Sequence, residues 1–331
     1  MPFSKLRVHI ENLRAPPDVY HLTPERWSAA CVRHRALARW VEATFGWDGE
    51  ALEAGLREAV IAIGIHNRIE RLAEIAPRLR WVHATLAGVD RLFPLDWLPP
   101  GVVLTNNHGA HGAKAEQYMR MAYTLLNTRM PEIIANQLEH RWRQLFSPSL
   151  SGKTALIVGL GDLGQGAARA AKQVGLRVIG VSRSGKKVPH TDAVHKTAAL
   201  DRLLPMADYV VMAVPLTPAT RNLLNRARLD LLKPAAGVIN IARAQVLDYE
   251  ALAGKLGRGE LAGAVLDVVD PEPLPVDSPL WDTPNLIITP HISCDDSEHY
   301  MDITLDLWFA NLERFLEGKP LKNRVDSRHG Y

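Results

Sequence analysis

Several residues in the second half of this chain are of types that do chemistry together. Gly159, Gly161 and Gly164 stand in a G-x-G-x-x-G pattern within TALIVGLGDLGQG, with Asp162 and Leu163 inside it. Further on, Arg243 follows the apolar run AAGVINIA, Asp267 and Glu272 lie in LDVVDPEPLP, and His291 closes NLIITPHIS. In the glycine pattern the first glycine permits a tight turn. The second lets backbone approach a pyrophosphate, and the third lets strand and helix pack closely. Free N–H groups at the start of the following helix then face the anion. A guanidinium offers a planar fork of donors to a carboxylate or carbonyl. An imidazole can give or take a proton near neutral pH, and a carboxylate can orient it. Singly, each has a plainer reading: a bare turn, a surface ion pair, a structural histidine, a loop charge. Their succession behind one glycine turn gives them a common purpose.

That turn needs a buried strand before it and a helix after it, and TALIVGL and GQGAARAAKQVG supply both. The next strand, LRVIGVS, ends in Ser182, Arg183 and Ser184, followed by Lys186 and Lys187. An acidic residue there would bind the ribose hydroxyls of NAD(H). Hydroxyls and a guanidinium suit a 2′-phosphate instead. NADP(H) is therefore favoured, with NAD(H) still possible; the alternative is a solvated basic turn.

The elements that must carry these residues alternate. LRVHI, AVIAIGI and RWVHATLAG read as strands in the first third. After Thr23-Pro24, an N-cap followed by proline at the first helical position, Trp27, Ala30, Cys31, His34, Leu37, Ala38, Val41 and Phe45 recur at helical spacing. NRIERLAEIA reads as a helix ended by Pro77, and residues 112 to 146 as a long helical stretch broken near Met130-Pro131. SPSLSGK is a link into a second alternating unit with the strands LRVIGVS, ADYVVMAVPL, AAGVINIA, GAVLDVV and NLIITPHI. A last helix spans about 296 to 318. Such alternation implies parallel sheets covered on both faces. A length of 331 residues suits about two domains. A formal charge of +3 from 39 basic and 36 acidic side chains argues for neither nucleic acid nor a membrane surface as partner. No apolar run approaches membrane-spanning length, and the start turns polar too soon for a signal peptide. Cys31 and Cys294 are the only cysteines, so no disulfide framework is expected and a cytoplasmic location is the default. His108 and His111 in NNHGAHG lack the further ligands a metal site needs.

From LSGKTALIVGLGDLGQG through VPLTPATRNLLN to TPHIS, and more weakly at LAGVD and AEQYM, the chain resembles the D-isomer-specific 2-hydroxyacid dehydrogenases, which include glyoxylate/hydroxypyruvate reductases. Arg243, Glu272 and His291, 29 and 19 residues apart, fit that family's catalytic trio. The resemblance implies an α/β fold of two doubly wound parallel-sheet domains, a Rossmann cofactor domain inserted in a flavodoxin-like substrate domain. Residues 1–109 and 293–331 would form the substrate domain and 110–292 the dinucleotide-binding domain, with the active cleft between them. It implies reversible reduction of a small 2-keto acid to the D-2-hydroxy acid. Arg243 would hold the carboxylate with the backbone of Leu86, Ala87 and Gly88; His291 would be the acid/base and Glu272 its orienting partner. Asp267 would bind the nicotinamide carboxamide, while Pro215, Thr220, Ile241 and Ala242 would line the cofactor; Pro215 and Thr220 could also be only a strand-ending turn with a helix cap. A homodimer and no metal are further implications. Ala244 stands where the family has glycine, and Ser293-Cys294 where it has a glycine pair, which would reshape the nicotinamide pocket. A nucleotide-sensing, corepressor-like binding protein on the same scaffold stays open as a second reading. An enzyme acting on formate or phosphite is a third.

Overall fold

The computed structural model describes residues 5–15 and 17–326. From the N-terminal side come β1 (Leu6–Asn12), α1 (Pro24–Arg33), α2 (Arg35–Ala38), β2 (Val41–Trp47), α3 (Leu52–Arg57), β3 (Ile61–Ile63), α4 (Leu72–Ile75), β4 (Trp81–His83) and β5 (Val103–Thr105). Two helices follow, α5 (Gly112–Asn127) and α6 (Met130–Leu138). Then come β6 (Thr154–Val158), α7 (Asp162–Gln173), β7 (Arg177–Ser182), β8 (Ala193–Lys196), α8 (Leu200–Leu203), β9 (Tyr209–Met212) and α9 (Arg226–Leu229). The chain continues through β10 (Gly237–Asn240), α10 (Tyr249–Gly257), β11 (Gly263–Leu266), β12 (Leu286–Ile288) and α11 (Tyr300–Leu316).

These elements divide into two compact units. One takes the described residues up to Ala110 and those from Asp296; the other is His111–Asp295. The first holds a five-stranded parallel sheet in the order β2-β1-β3-β4-β5, the flavodoxin-like 2-1-3-4-5 arrangement. Both its faces are buried. Ile10, Ile61, Ile63 and Trp81 pack with Trp308 and Phe309 of α11, while Leu56, Ala62, Val82 and Leu104 form a second core. The second unit holds seven parallel strands in the order β12-β11-β10-β9-β6-β7-β8. The chain starts at β6, works outward to β7 and β8, then crosses back to β9 and works out to β12. That is the Rossmann order with one more strand, and its direction reverses beside β6. The fold is thus the doubly wound α/β architecture that the alternation and the resemblance predict.

Three elements differ from the sequence reading. The helix after Thr23 breaks at His34 and resumes as the single turn α2 that holds Leu37 and Ala38, but Val41 and Phe45 lie on β2, which pairs with β1 along its whole length from Leu6↔Val41 to Asn12↔Trp47. Residues four apart share a face in a strand as well as in a helix, and pairing to β1 decides between them. In NRIERLAEIA only Leu72–Ile75 is helical. The stretch from 112 to 146 turns sharply at Arg129, whose φ is +57, and its helix ends at Leu138, before His140 at φ +56. β8 was not foreseen, because four half-buried or exposed residues at a sheet edge leave little apolar pattern.

Candidate active site

The register of the larger sheet lines up the candidates. One row of paired residues runs His195, Val181, Val158, Met212, Asn240, Leu266, Ile288 across the seven strands. All strands are parallel, so everything just past that row shares one edge. Gly159, Ser182 and Asp267 follow their row members directly. Pro215, Arg243 and His291 come three residues after theirs. In open parallel sheets this carboxyl edge, at the reversal of strand order, is where ligands bind. β10 and β12, which carry Arg243 and His291, are two strand spacings apart, about 10 Å.

The glycine turn fits a dinucleotide. Gly159 has φ +99, and a Cβ on it would lie 2.2 Å from the carbonyl oxygen of Ala213 on the neighbouring strand's exit. A Cβ on Gly164 would lie 1.9 Å from the carbonyl oxygen of Gly159. Gly161 caps α7 without any side-chain hydrogen bond to the helix's first N–H groups, which suits them to an anion. The carboxylate of Asp162 is held away, accepting the backbone N–H of His111 at 3.0 Å, so Asp162 can offer a phosphate its backbone only. Leu163 is half-buried against the core. At the end of β7, Ser182 Oγ accepts from Gly185 N at 3.1 Å and keeps its own proton to donate; Arg183 and Ser184 are exposed. Thr220 Oγ1 accepts from Thr217 N at 2.8 Å and lies 2.6 Å from the Pro215 carbonyl. That closes the turn after β9, and no helix begins there, so the alternative helix cap is absent.

Among the reacting candidates, one contact is direct. His291 Nδ1 lies 3.0 Å from Glu272 Oε2, on side chains 46% and 31% exposed. With Nδ1–H given to the carboxylate, Nε2 is the nitrogen left for exchange. His291 has φ +55, and the loop bearing it hangs on Asp267. That carboxylate is 1% exposed. It accepts from Thr289 Oγ1 at 2.6 Å, Ile292 N at 2.9 Å and Ser293 N at 3.0 Å, while its backbone carbonyl accepts from His291 N at 2.9 Å. The resemblance assigns Asp267 to the nicotinamide carboxamide; its oxygens hold the histidine loop, and Oδ2, with the one donor Ser293 N among the described residues, keeps a lone pair for a further one. Tyr118 of α5 adds a link, its hydroxyl 2.7 Å from Thr289 Oγ1. Burial pushes this phenol well above the usual tyrosine range, so it stays a neutral donor.

Arg243 sits on a turn shaped by Asn240, which is fully buried. The Asn240 amide donates to the Arg243 carbonyl at 2.9 Å and accepts from Ala242 N at 3.0 Å. It also donates to the Tyr249 hydroxyl at 3.1 Å, which in turn donates to the Val268 carbonyl. Asn240, Tyr249, Thr289 and Tyr118 were not foreseen. The one signal for Asn240 is an amide closing the apolar run GVIN. Ile241, Ala242 and Ala244 are buried beside the turn. Cys294 Sγ is 2.9 Å from Ser293 Oγ, and burial pushes its thiol far up, away from the reactive thiolate. His111 Nε2 is 3.3 Å from Asp295 Oδ1, whereas His108 is an exposed residue of the first unit. Among the described residues no group of three His, Cys, Asp or Glu could hold a metal ion.

In the first unit, the loop after β4 carries Leu86, Ala87 and Gly88. The carbonyls of Thr85, Leu86 and Ala87 accept from Tyr300 Oη, Asn107 N and Asn106 Nδ2 at 2.6, 3.1 and 2.9 Å. The loop is thus pinned through its acceptors, and its N–H groups point to no such partner among the described residues.

A Rossmann sheet with a glycine turn at the reversal of its strand order is the architecture of dinucleotide-binding proteins. The chain belongs to the D-isomer specific 2-hydroxyacid dehydrogenase family, whose NAD binding domain model matches residues 121–293. It is 33% identical to a glyoxylate reductase of Pyrococcus furiosus over 77% of this chain and 78% of that one. A dehydrogenase of the family from Xanthobacter autotrophicus Py2, solved with NADPH and MES, is 29% identical with a TM-score of 0.83, covering 97% of this chain and 99% of that one. The NADPH-dependent glyoxylate/hydroxypyruvate reductase of Sinorhizobium meliloti, solved with NADP and sulfate, is 29% identical with a TM-score of 0.81, covering 98% and 99%. The protein is an NAD(P)-dependent 2-hydroxyacid dehydrogenase. No helix among the described residues is long and apolar enough to cross a membrane.

Proposed function

We propose that this chain uses NADPH to reduce a small 2-keto acid, of the glyoxylate or hydroxypyruvate type, to the D-2-hydroxy acid, as a cytoplasmic homodimer. The observation that carries the reading is the 3.0 Å contact between Glu272 and a half-exposed His291, at the sheet edge shared by the glycine turn and Arg243. The Pyrococcus and Sinorhizobium reductases suggest the substrate class. The NADP-bound relatives support the phosphorylated cofactor, as does the lack of any carboxylate in residues 182–187.

In this reading the unit His111–Asp295 holds the dinucleotide and the other unit serves the substrate. The turn from Gly159 to Gly164 takes the pyrophosphate, and Ser182, Arg183 and Ser184 take the phosphorylated ribose. Pro215, Thr220, Ile241 and Ala242 flank the remainder. When bound, the reduced nicotinamide supplies the hydride that the carbonyl carbon accepts. Arg243 holds the substrate carboxylate and polarises its carbonyl through two-pronged donation. His291, with Nδ1–H fixed on Glu272, carries the mobile proton on Nε2 and delivers it to the carbonyl oxygen; in the reverse direction Nε2 takes it back. A positioned acid of this kind contributes about 10²–10⁴-fold. Glu272 keeps the ring oriented and favours its cation. The N–H groups of Ala87 and Gly88 are the proposed seat of the substrate carboxylate in the first unit.

The test is turnover of glyoxylate, hydroxypyruvate, pyruvate and phosphohydroxypyruvate with each cofactor. The highest kcat/KM is expected for glyoxylate or hydroxypyruvate with NADPH. No turnover of any keto acid, with the dinucleotide still bound, would replace the enzyme with the nucleotide-sensing reading.

A further inference from the structure

We infer that Lys196, on the edge strand β8, is a specificity residue for the 2′-phosphate of the dinucleotide. This rests on the NADPH reading above and adds a residue from a strand not foreseen in the sequence. In the register of the larger sheet, Lys196 is the partner of Ser182, the last residue of β7. The turn that follows Ser182 folds back over it. Gly185 has φ +66, and a Cβ on it would lie 2.9 Å from Lys196 Cγ and 3.4 Å from Lys196 N. The turn is closed by the 3.1 Å hydrogen bond from Gly185 N to Ser182 Oγ. Gly185 therefore serves two ends: it adopts the left-handed conformation, and it leaves room for the lysine stem beneath.

The ammonium lies only three bonds beyond Cγ, so it stays within reach of the turn that bears Ser182, Arg183 and Ser184. Lys196 is exposed and has no ion-pair partner among the described residues. The acids on either side of it in sequence are engaged elsewhere. Asp192 takes Val178 N at 2.7 Å and Lys172 Nζ, and Asp201 takes Arg228 Nε at 2.6 Å. A dianionic phosphate beside Ser182 would thus meet a guanidinium from one side of the turn and an ammonium from the adjacent strand. A ribose hydroxyl in the same place would gain little from that second charge. Lysine suits the task because it binds phosphate as a point charge on a flexible stem, with no fixed geometry to satisfy.

The experiment measures Kd for NADPH, NADH, 2′,5′-ADP and AMP on the full chain, in the wild type and in Lys196→Met, Lys196→Arg, Lys187→Met and Arg183→Ala. Lys196→Met keeps the stem that fills the space under Gly185. It is expected to weaken NADPH and 2′,5′-ADP about tenfold, as loss of one charge-assisted contact should, and to leave NADH and AMP within about twofold. Lys196→Arg should restore most of the affinity, and Lys187→Met should have a smaller effect than Lys196→Met. Equal losses on NADH and NADPH, or no loss on NADPH, overturn the inference. If the wild type prefers NADPH and only Arg183→Ala abolishes that preference, Lys196 is excluded and the cofactor reading stands. If the wild type binds NADH as tightly as NADPH, both fall together.

Discussion

His291 and Glu272 meet at 3.0 Å through one nitrogen, so their contributions are separable by substitution. His291→Ala removes the proton donor and should lower kcat by about 10²–10⁴-fold while leaving the NADPH Kd within about twofold. Glu272→Gln keeps size and most of the hydrogen bonding but not the charge. It should cost less, about 10- to 100-fold in kcat. Stopped-flow single-turnover rates with saturating cofactor check both; a Glu272→Gln enzyme as slow as His291→Ala would mean the carboxylate does more than orient the ring. The order of Arg243, Glu272 and His291 past apolar strands is legible in the sequence, and the structure brings the last two of them into contact. Asn240, Tyr249 and Tyr118 are not legible there. A buried amide or phenol looks like any core residue until its partner is known, and Tyr118 meets Thr289 across 171 positions of sequence.

At the level of elements, the loop after β12 is held by a relay from Tyr118 through Thr289 to Asp267, and on to the N–H groups of Ile292 and Ser293. The loop's left-handed histidine benefits from that support, since φ +55 is uncommon for residues other than glycine. Thr289→Val removes the hydroxyl at nearly constant volume and leaves the buried Asp267 one donor short. It should lower kcat about tenfold with the NADPH Kd within about twofold, at a stability cost of about 1–3 kcal/mol. Thr289→Ser should recover the rate. Equal loss in Val and Ser variants would show that the methyl packing, not the hydrogen bond, matters. The same scale explains what the sequence hid. Strands β6, β7, β9, β10 and β11 are buried apolar runs and were readable, as was the glycine turn. The spacing of four between Val41 and Phe45 fits helix and strand alike, and the pairing with β1 that decides for β2 is non-local. The helical reading extends to 146, yet Trp142 and Phe146 are 96% and 84% exposed and bring a helix little packing among the described residues.

Two properties of the whole molecule follow from groups far from the chemistry. In the first unit, complete burial drives the His83 imidazole down to about 3 from its ordinary 6.5. Its Nδ1 lies 2.9 Å from Thr105 Oγ1. Between those two values the unfolded chain takes up a proton that the folded chain refuses. Stability is therefore full above about pH 6.5 and falls as pH drops toward 3, by at most about 1.4 kcal/mol per pH unit from this group. His66, lowered by burial as well, works in the same sense. Urea unfolding at pH 7 and pH 5 should show the loss, and a His83→Gln variant should show less of it; an unchanged difference would remove His83 as its source. In the second unit, Leu138, Trp142 and Phe146 are 77%, 96% and 84% exposed within nine consecutive residues. Three exposed apolar side chains so close in sequence are candidates for the contact surface of the proposed homodimer. Sedimentation velocity of the wild type at micromolar concentration should give a dimer. Trp142→Asp with Phe146→Asp should give a monomer of unchanged circular dichroism, because both rings are almost wholly exposed among the described residues. A wild type that sediments as a monomer refutes the homodimer outright, while a double variant that remains dimeric keeps the dimer and moves its interface to another face.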